Sequence, residues 1–547
     1  AVALATLKDS GTLIDVLARH GANVNIADTN GRTPLMHASE SSLMTALKAL
    51  LRIPSCKLNA VDKLGLTALM LATKEGRGGV VDRLVSAGAD VSLEDNTGRN
   101  AAFFASRGGH RAIVAQLSKI AGGTKTAFPK SSDLNDILSV LRSACDDAET
   151  QVEGIKRLTV AMAGQGLGEE FMHEIVEALF AAMKLHRKDL EVQIAAINCF
   201  SSLASLCTDG EKEHLLGVGV WQAAGQGMRL HPQHLRIHVA AVSLFTELTS
   251  TPHLASKLND STVLVAVMST MHRFQKKAEL QKPALRLLCN LADASPVHRS
   301  HLEQHGAVVT AISALRAHPV DFTVQEAACA LLSAMDTAEA TQRNIARAGG
   351  VSSLVATLRA HGKNAPLSRI ALVGLHKLAH HESVHLLLIR DGTVPATLST
   401  LKIHITDVEI QRIGLEILQL LSSDPEACTT ITRSGAVGIL AECVDTESNT
   451  ADVVIAAFNL LTLSLPSVDE NQATNAVAPV VNCMARFPHE GEVQIAGISA
   501  LCSAQKCEPA VQLMKQMGMA HALDVVASAY HDNQEVLGAV RTLRKVV

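Results

Sequence analysis

The sequence predicts an all-α protein built as a repeat solenoid. Three observations carry that prediction. At 547 residues the chain is too long for one hydrophobic core. It shows self-similarity at two successive periods, and apolar residues recur at helical spacing inside the repeats. Length alone leaves a choice between separate domains and an extended array, and the periods decide for the array.

Composition narrows the function. Aromatic residues make up 2% of the chain, with one Trp and one Tyr, so a surface that stacks bases on aromatic rings has little to build with. The formal net charge is −4 and there is no basic tail, so attraction to a phosphate backbone also lacks a source, and nucleic acid is not an expected partner. Eleven cysteines occur without a CxxC pair, most of them inside helical runs where a thiol acts as a small hydrophobe, which implies a reducing compartment. No run of 18 apolar residues appears and the opening segment lacks the pattern of a secretory signal, so a cytoplasmic protein without membrane insertion is expected. The chain begins Ala1-Val2-Ala3, without Met, so further residues upstream are expected.

The first array carries GANVN (Gly21 to Asn25), NGRTPLMHA (Asn30 to Ala38), LGLTALMLA (Leu64 to Ala72), AGADV (Ala87 to Val91) and TGRNAAFFA (Thr97 to Ala105). Its turn glycines Gly31, Gly65 and Gly98 are 34 and 33 residues apart. A glycine at a hairpin tolerates positive φ, Thr33 and Pro34 start a helix, and Gly88 ends one in a left-handed cap. This stretch resembles ankyrin repeats, and about four are expected over residues 1–122, the first without its hairpin. The fourth has Asn100-Ala101 in place of Thr-Pro. The Gly- and Ser-rich stretch at 123–133 reads as a linker, after which the period changes.

From Val192 a helical segment recurs, with further starts at Ile237, Leu280, Val324, Leu367, Ile410, Val453, Val493 and Val536. The steps are 45, 43, 44, 43, 43, 43, 40 and 43 residues. The fifth position is small in the first eight (Ala196, Ala241, Ala284, Ala328, Ala371, Gly414, Ala457, Gly497), which lets helices approach closely. Gly306, Gly349, Gly392 and Gly435 mark a second register with the same 43-residue step. This pattern resembles the armadillo repeat, in which such a glycine turns the chain between the first two of three helices. With a weaker unit at about 134–162 as a cap, about ten armadillo-like units are expected over 134–547, forming a right-handed superhelix.

The resemblance implies that third helices line a groove for extended peptides or partner helices. Importin-α-like proteins place a Trp and an Asn four residues apart there. Here the matching pairs are Asn198/Ser202, Ser243/Glu247, Arg286/Asn290, Ala330/Ala334, Val373/Lys377, Glu416/Leu420, Asn459/Leu463 and Ser499/Ser503. With no Trp and one Asn in place, a nuclear-import receptor is not expected. The mixed charge also disfavours the long acidic ligands of β-catenin-like proteins. The candidate groove residues are therefore Asn198, Ser202, Ser243, Glu247, Arg286, Asn290, Lys377, Glu416, Asn459, Ser499 and Ser503. The ankyrin resemblance adds hairpin tips at Asn30, Lys63, Leu64 and Asn96, with Leu64 and Leu66 read as apolar contacts near one tip. A basic stretch from His272 to Arg286 reads as a solvated helix end and loop before a patch for an acidic segment.

Residues His381 to His385 match HExxH, in which two histidines bind zinc and the Glu acts as general base. Counting back from Gly392 places His381 to Ser383 in a turn, where no water-restricted pocket is expected, so neither a catalytic site nor a metal or other cofactor is assigned. Adventitious metal binding by His376, His380, His381 and His385 is the nearer alternative. The 24 histidines could make association pH-responsive, although scattered turn and surface positions are the simpler account. The expected function is a non-enzymatic scaffold that binds other proteins within a large complex. The resemblance extends to cytoskeletal and ciliary scaffolds, and the alternative is a regulatory arm of a larger signalling enzyme.

Overall fold

The computed structural model describes residues 1–120, 133–143, 147–163, 169–258, 261–335, 337–446 and 448–547. The proposed linker at 123–133 lies, except for Asp133, outside the described residues. Among the described residues the fold is an all-α solenoid whose only β pairing is an isolated bridge between Glu94 and Asn100. No described helix is long and apolar enough to cross a membrane. The chain divides into two compact units, Ala1–Leu248 and Thr249–Val547.

The first unit opens with short helices in pairs, such as Pro34–Glu40 with Met44–Arg52 and Ala68–Lys74 with Gly78–Ser86. From Pro34 onward the leading helices start where a side chain satisfies a free backbone N–H. Thr67 Oγ1 accepts from Met70 N at 3.2 Å, and Asn100 Oδ1 accepts from Phe103 N at 2.9 Å, so the Asn that replaces Thr still caps its helix. Hairpins link the pairs. In each, one Asp carboxylate accepts two backbone N–H groups, Asp62 from Leu64 and Leu66 and Asp95 from Thr97 and Arg99. Gly65 takes φ +83° at such a tip, and a Cβ there would stand 2.6 Å from Asn96 N. Longer helices follow: Leu134–Ser143, Ala148–Met162, Glu169–Leu185, Leu190–Leu206, and the triplet Asp209–Gly217, Val220–Leu230 and Leu235–Leu248.

The second unit is a run of helix triplets at the 43-residue step, for example Glu339–Arg347, Gly350–His361 and Ala365–Ala379, then Glu382–Arg390, Thr393–Ile403 and Val408–Leu421. In four successive triplets the second helix starts at a glycine in the left-handed region, with φ +83° at Gly306, +90° at Gly349, +84° at Gly392 and +73° at Gly435. Gly518 does the same at +72°, and Gly219 at +89° in the first unit. After Gly435 the register follows the shorter 40-residue step from Val453 to Val493 and falls on Asn475. There no turn forms, and Glu470–Arg486 runs as one helix of 17 residues through Pro479.

Third helices of successive triplets pack closely on one another, as the small fifth positions predict. Within a triplet the small fifth position admits the second helix, since a Cβ on Gly414 would sit 2.6 Å from Leu401 Cδ2 on Thr393–Ile403. Two ladders tie the array together. A buried glutamine in the third helix donates to the last carbonyls of the second: Gln325 Nε2 to Leu315 O at 2.7 Å and His318 O at 2.9 Å, and Gln411 Nε2 to Leu401 O and His404 O at the same distances. Such carbonyls have no partner inside their own helix, so the amide removes a cost that burial would otherwise impose. On the neighbouring loops a histidine reaches back one repeat, His361 Nε2 to Pro319 O at 2.8 Å and His404 Nε2 to Gly362 O at 2.6 Å. Part of the histidine count is thus structural.

Candidate protein-binding surfaces

In the second unit the third helices Ala278–Ala294, Phe322–Ala334 and Ala365–Ala379 border a groove of about 570 Å³. Small side chains form its floor, Ala330, Ser333 and Ala334, because helices that must pack side by side leave little room for bulk. Three cations stand on its walls. Arg299 Nη1 donates to Ala292 O at 2.9 Å, Arg369 pairs with Asp407 at 3.1 Å, and Lys377 Nζ donates to Ser333 O. Asp293 is the carboxylate of the lining. Cys289 also lines it, but burial foremost, with Asp293 nearby, pushes its thiol up to about 12, so it stays protonated and is a poor nucleophile near neutral pH.

Beyond the groove the third-helix face is a charged network. His376 Nε2 stands 3.2 Å from Glu416 Oε2, and Arg412 donates to Glu416 at 2.8 Å and Glu409 at 2.7 Å. Burial lowers the His376 pKa first of all. Glu416 opposes that shift, and His380, Arg412 and Lys377 reinforce it. The His376 and His380 rings meet edge to face, 4.6 Å apart.

The other candidates fall on the expected helices. In the first unit Asn198 is exposed and Ser202 half-buried on Leu190–Leu206, and Ser243 and Glu247 are half-buried on Leu235–Leu248. In the second, Arg286 is exposed and Asn290 half-buried beside the groove, and Asn459 is half-buried on Ala451–Ser464. Ser499 and Ser503 turn their hydroxyls back to Ile495 O and Ala500 O within their own helix. Lys276, Lys277 and Lys282 of the basic stretch are exposed, as that stretch's solvated reading requires. Arg299, Arg369 and Arg412 were not singled out from the sequence, although Arg369 and Arg412 share the 43-residue step that could have flagged them.

The hairpin tips are brought together. Lys63 N donates to Asn30 O at 3.1 Å, Asn96 N to Leu64 O at 3.1 Å, and Asn96 Nδ2 to Lys63 O at 3.0 Å. Leu64 is 62% exposed, but Leu66 is 6% exposed, which corrects its reading as a surface contact. It occupies the position of Arg32 and Arg99 in the flanking hairpins, and its side chain turns inward instead. Burial would raise the Asp95 carboxyl, yet hydrogen bonds from Arg99 and Thr97 outweigh it and hold the pKa below the usual carboxylate value.

The HExxH residues do not form a zinc constellation. His381 is the N-cap and helix Glu382–Arg390 starts one residue later, so Glu382 and Ser383 lie in its first turn and not in the preceding loop. His381 Nε2 donates to Thr337 O at 2.9 Å and the buried His385 Nε2 to Ala379 O at 2.7 Å, so both nitrogens carry protons toward carbonyls. No group of three or more His, Cys, Asp or Glu among the described residues is arranged to hold a metal ion.

These surfaces and this architecture define a repeat protein. A family model described as ankyrin repeats matches residues 42–128 in three copies. Among solved structures the chain is similar to an engineered protein from the Northeast Structural Genomics Consortium, with 20% identity over 76% of this chain and 98% of that one and a TM-score of 0.54. At that identity the likeness is one of fold. The ankyrin match supports a protein-binding role for its stretch, and the structural likeness supports the helical repeat fold.

Proposed function

We propose that the chain is a non-enzymatic scaffold in which ankyrin repeats over 1–122 precede about ten armadillo-like units over 134–547. It binds extended segments of partner proteins in the third-helix groove of the second unit and at the ankyrin hairpin tips. The groove carries this reading. A small-residue floor leaves room for a main chain, and Arg299, Arg369 and Lys377 on the walls favour a segment with an acidic side chain. The array is preformed, so many modest contacts add affinity without an ordering cost on its side. The near-neutral net charge supports protein rather than nucleic acid as the partner. The resemblance to ankyrin-and-armadillo scaffolds supports a cytoplasmic place in a cytoskeletal or ciliary assembly.

Photo-crosslinking residues placed at Ala334 and Leu64 test the reading. Partners captured at Ala334 should be joined through extended segments, and capture should fall in an Arg369→Glu/Lys377→Glu variant. Equal capture by that variant, or by a crosslinker placed at Arg390 on a first helix, overturns the groove assignment.

A further inference from the structure

In the first unit a cleft of about 360 Å³ lies between the helices Glu169–Leu185 and Val220–Leu230. Gln193, 3% exposed, lies at its base. At two of the four equivalent glutamines in the second unit Oε1 accepts from the following repeat, eight residues after its left-handed glycine, whereas that position is Ala314 for Gln281 and Val526 for Gln494, whose Oε1 has no partner among the described residues. Thr357 Oγ1, eight after Gly349, donates to Gln325, and Cys443 Sγ, eight after Gly435, donates to Gln411 at 3.1 Å. Eight residues after Gly219 stands Gly227, which has nothing to donate. A Cβ built on Gly227 would lie 3.6 Å from Gln193 Oε1. Gln193 Oε1 therefore receives no donor from the following repeat and borders the cleft that Gly227 also lines, although a Cβ at Gly227 itself would meet Ile237 Cδ1 at 3.1 Å and Ile197 Cδ1 at 3.5 Å.

The orientation of that acceptor is fixed. Gln193 Nε2 donates to Met183 O at 2.8 Å and to His186 O at 3.1 Å, two partners that only an N–H can satisfy, so Oε1 is the atom turned toward Gly227. Phe180, Met183 and Leu230 give the cleft apolar walls. Lys184 and Arg187 line it as well, both exposed and in no ion pair among the described residues. The cleft thus has a buried acceptor within, an aromatic ring and a thioether along its sides, and two cations in contact with solvent.

We propose that this cleft binds a C-terminal tyrosine, or a free acid of the same shape: a phenol O–H donated to Gln193 Oε1, a ring against Phe180 and Met183, and a carboxylate held by Lys184 and Arg187. An ammonium or guanidinium tip fits worse, because its charge would be buried beside a neutral amide with no counter-charge. The site is separate from the groove of the second unit, and none of its residues belongs to that groove.

Fluorescence anisotropy of a fluorescein-labelled hexapeptide ending in Tyr with a free carboxylate tests the proposal on the full chain. Saturable binding is expected, weakened about tenfold or more when the last residue is Phe or the carboxylate is amidated. Competition by N-acetyltyrosine as strong as by the unlabelled peptide identifies a free acid as the occupant. Weaker competition identifies a peptide terminus. Gly227→Thr supplies the donor and the volume seen at Thr357 and should weaken binding by a similar factor. Because its Cβ meets Ile237 Cδ1 at 3.1 Å, Lys184→Glu/Arg187→Glu serves as a second variant at exposed positions, with the same expected loss. Absence of saturable binding, equal affinity for the Tyr and Phe peptides, or unchanged affinity in both variants overturns the proposal. None of these outcomes touches Arg369 or Lys377, so the scaffold reading stands or falls separately.

Discussion

Thr357 Oγ1 donates to Gln325 Oε1, so a side chain of one triplet completes the hydrogen bonding of a glutamine that caps the triplet before it. Gln325 is 2% exposed and serves two carbonyls, Leu315 and His318, as well as this hydroxyl. Gln325→Leu keeps the volume and strands Leu315 O, while His318 O keeps Asp321 N and Thr357 Oγ1 keeps Ser353 O. A loss of about 1–3 kcal/mol is expected for the second unit, measured by urea unfolding. A change below about 0.5 kcal/mol, the range of an ordinary surface substitution, would show that the cap is dispensable.

Two glycines three residues apart should respond with opposite sign. Gly435 has φ +73° with open space around a built Cβ, so Gly435→Ala isolates the backbone strain and should cost about 1–2 kcal/mol. Gly438 lies in the helix Ala436–Asp445, is exposed and is equally unobstructed, so Gly438→Ala should stabilise by about 0.5–1 kcal/mol. Thermal midpoints of the two variants should move in opposite directions. The same direction for both would show that the left-handed turn carries no strain for alanine.

The pH response of the second unit should include His376. Burial holds its pKa below the ordinary 6.5, so as pH falls below that value the unfolded chain takes up the proton first. Its contribution to stability is complete above about pH 6.5 and is lost as pH falls from there through the folded-state value. The urea midpoint should therefore drop on acidification, and His376→Gln should flatten that drop. An unchanged slope in the variant would remove His376 as the source.

Zinc should not bind stoichiometrically at His381 and His385, since each Nε2 is spent on a carbonyl. His385→Ala should instead cost stability, because it strands Ala379 O beside a buried cavity. One zinc per chain by elemental analysis, lost in that variant, would contradict this account.

The spacing of Gly306, Gly349, Gly392 and Gly435 made the triplets legible, because a left-handed turn accepts little besides glycine and so leaves a visible mark at a fixed step. Gly219 and Gly518 make the same turn but stood apart, 87 residues before Gly306 and 83 after Gly435. Between Gly435 and Gly518 the equivalent position is Asn475, and the first two helices there run as one. The glutamine ladder left only a weak trace in sequence, since His238 and Ser368 take the same helix position in other repeats. The candidate groove positions fell on the right helices, but Arg299 reaches the groove from a first helix and follows no third-helix spacing. Leu66 was misread because alternation at a hairpin does not say which residue folds under its neighbour.

The histidine clips grip main chain rather than side chains, Pro319 O for His361 and Gly362 O for His404. Almost any amino acid offers that oxygen, so the gripped positions are at liberty to drift over evolutionary time without weakening the bond. Neighbouring modules can then diverge beyond recognition by eye while the joint between them stays mechanically the same.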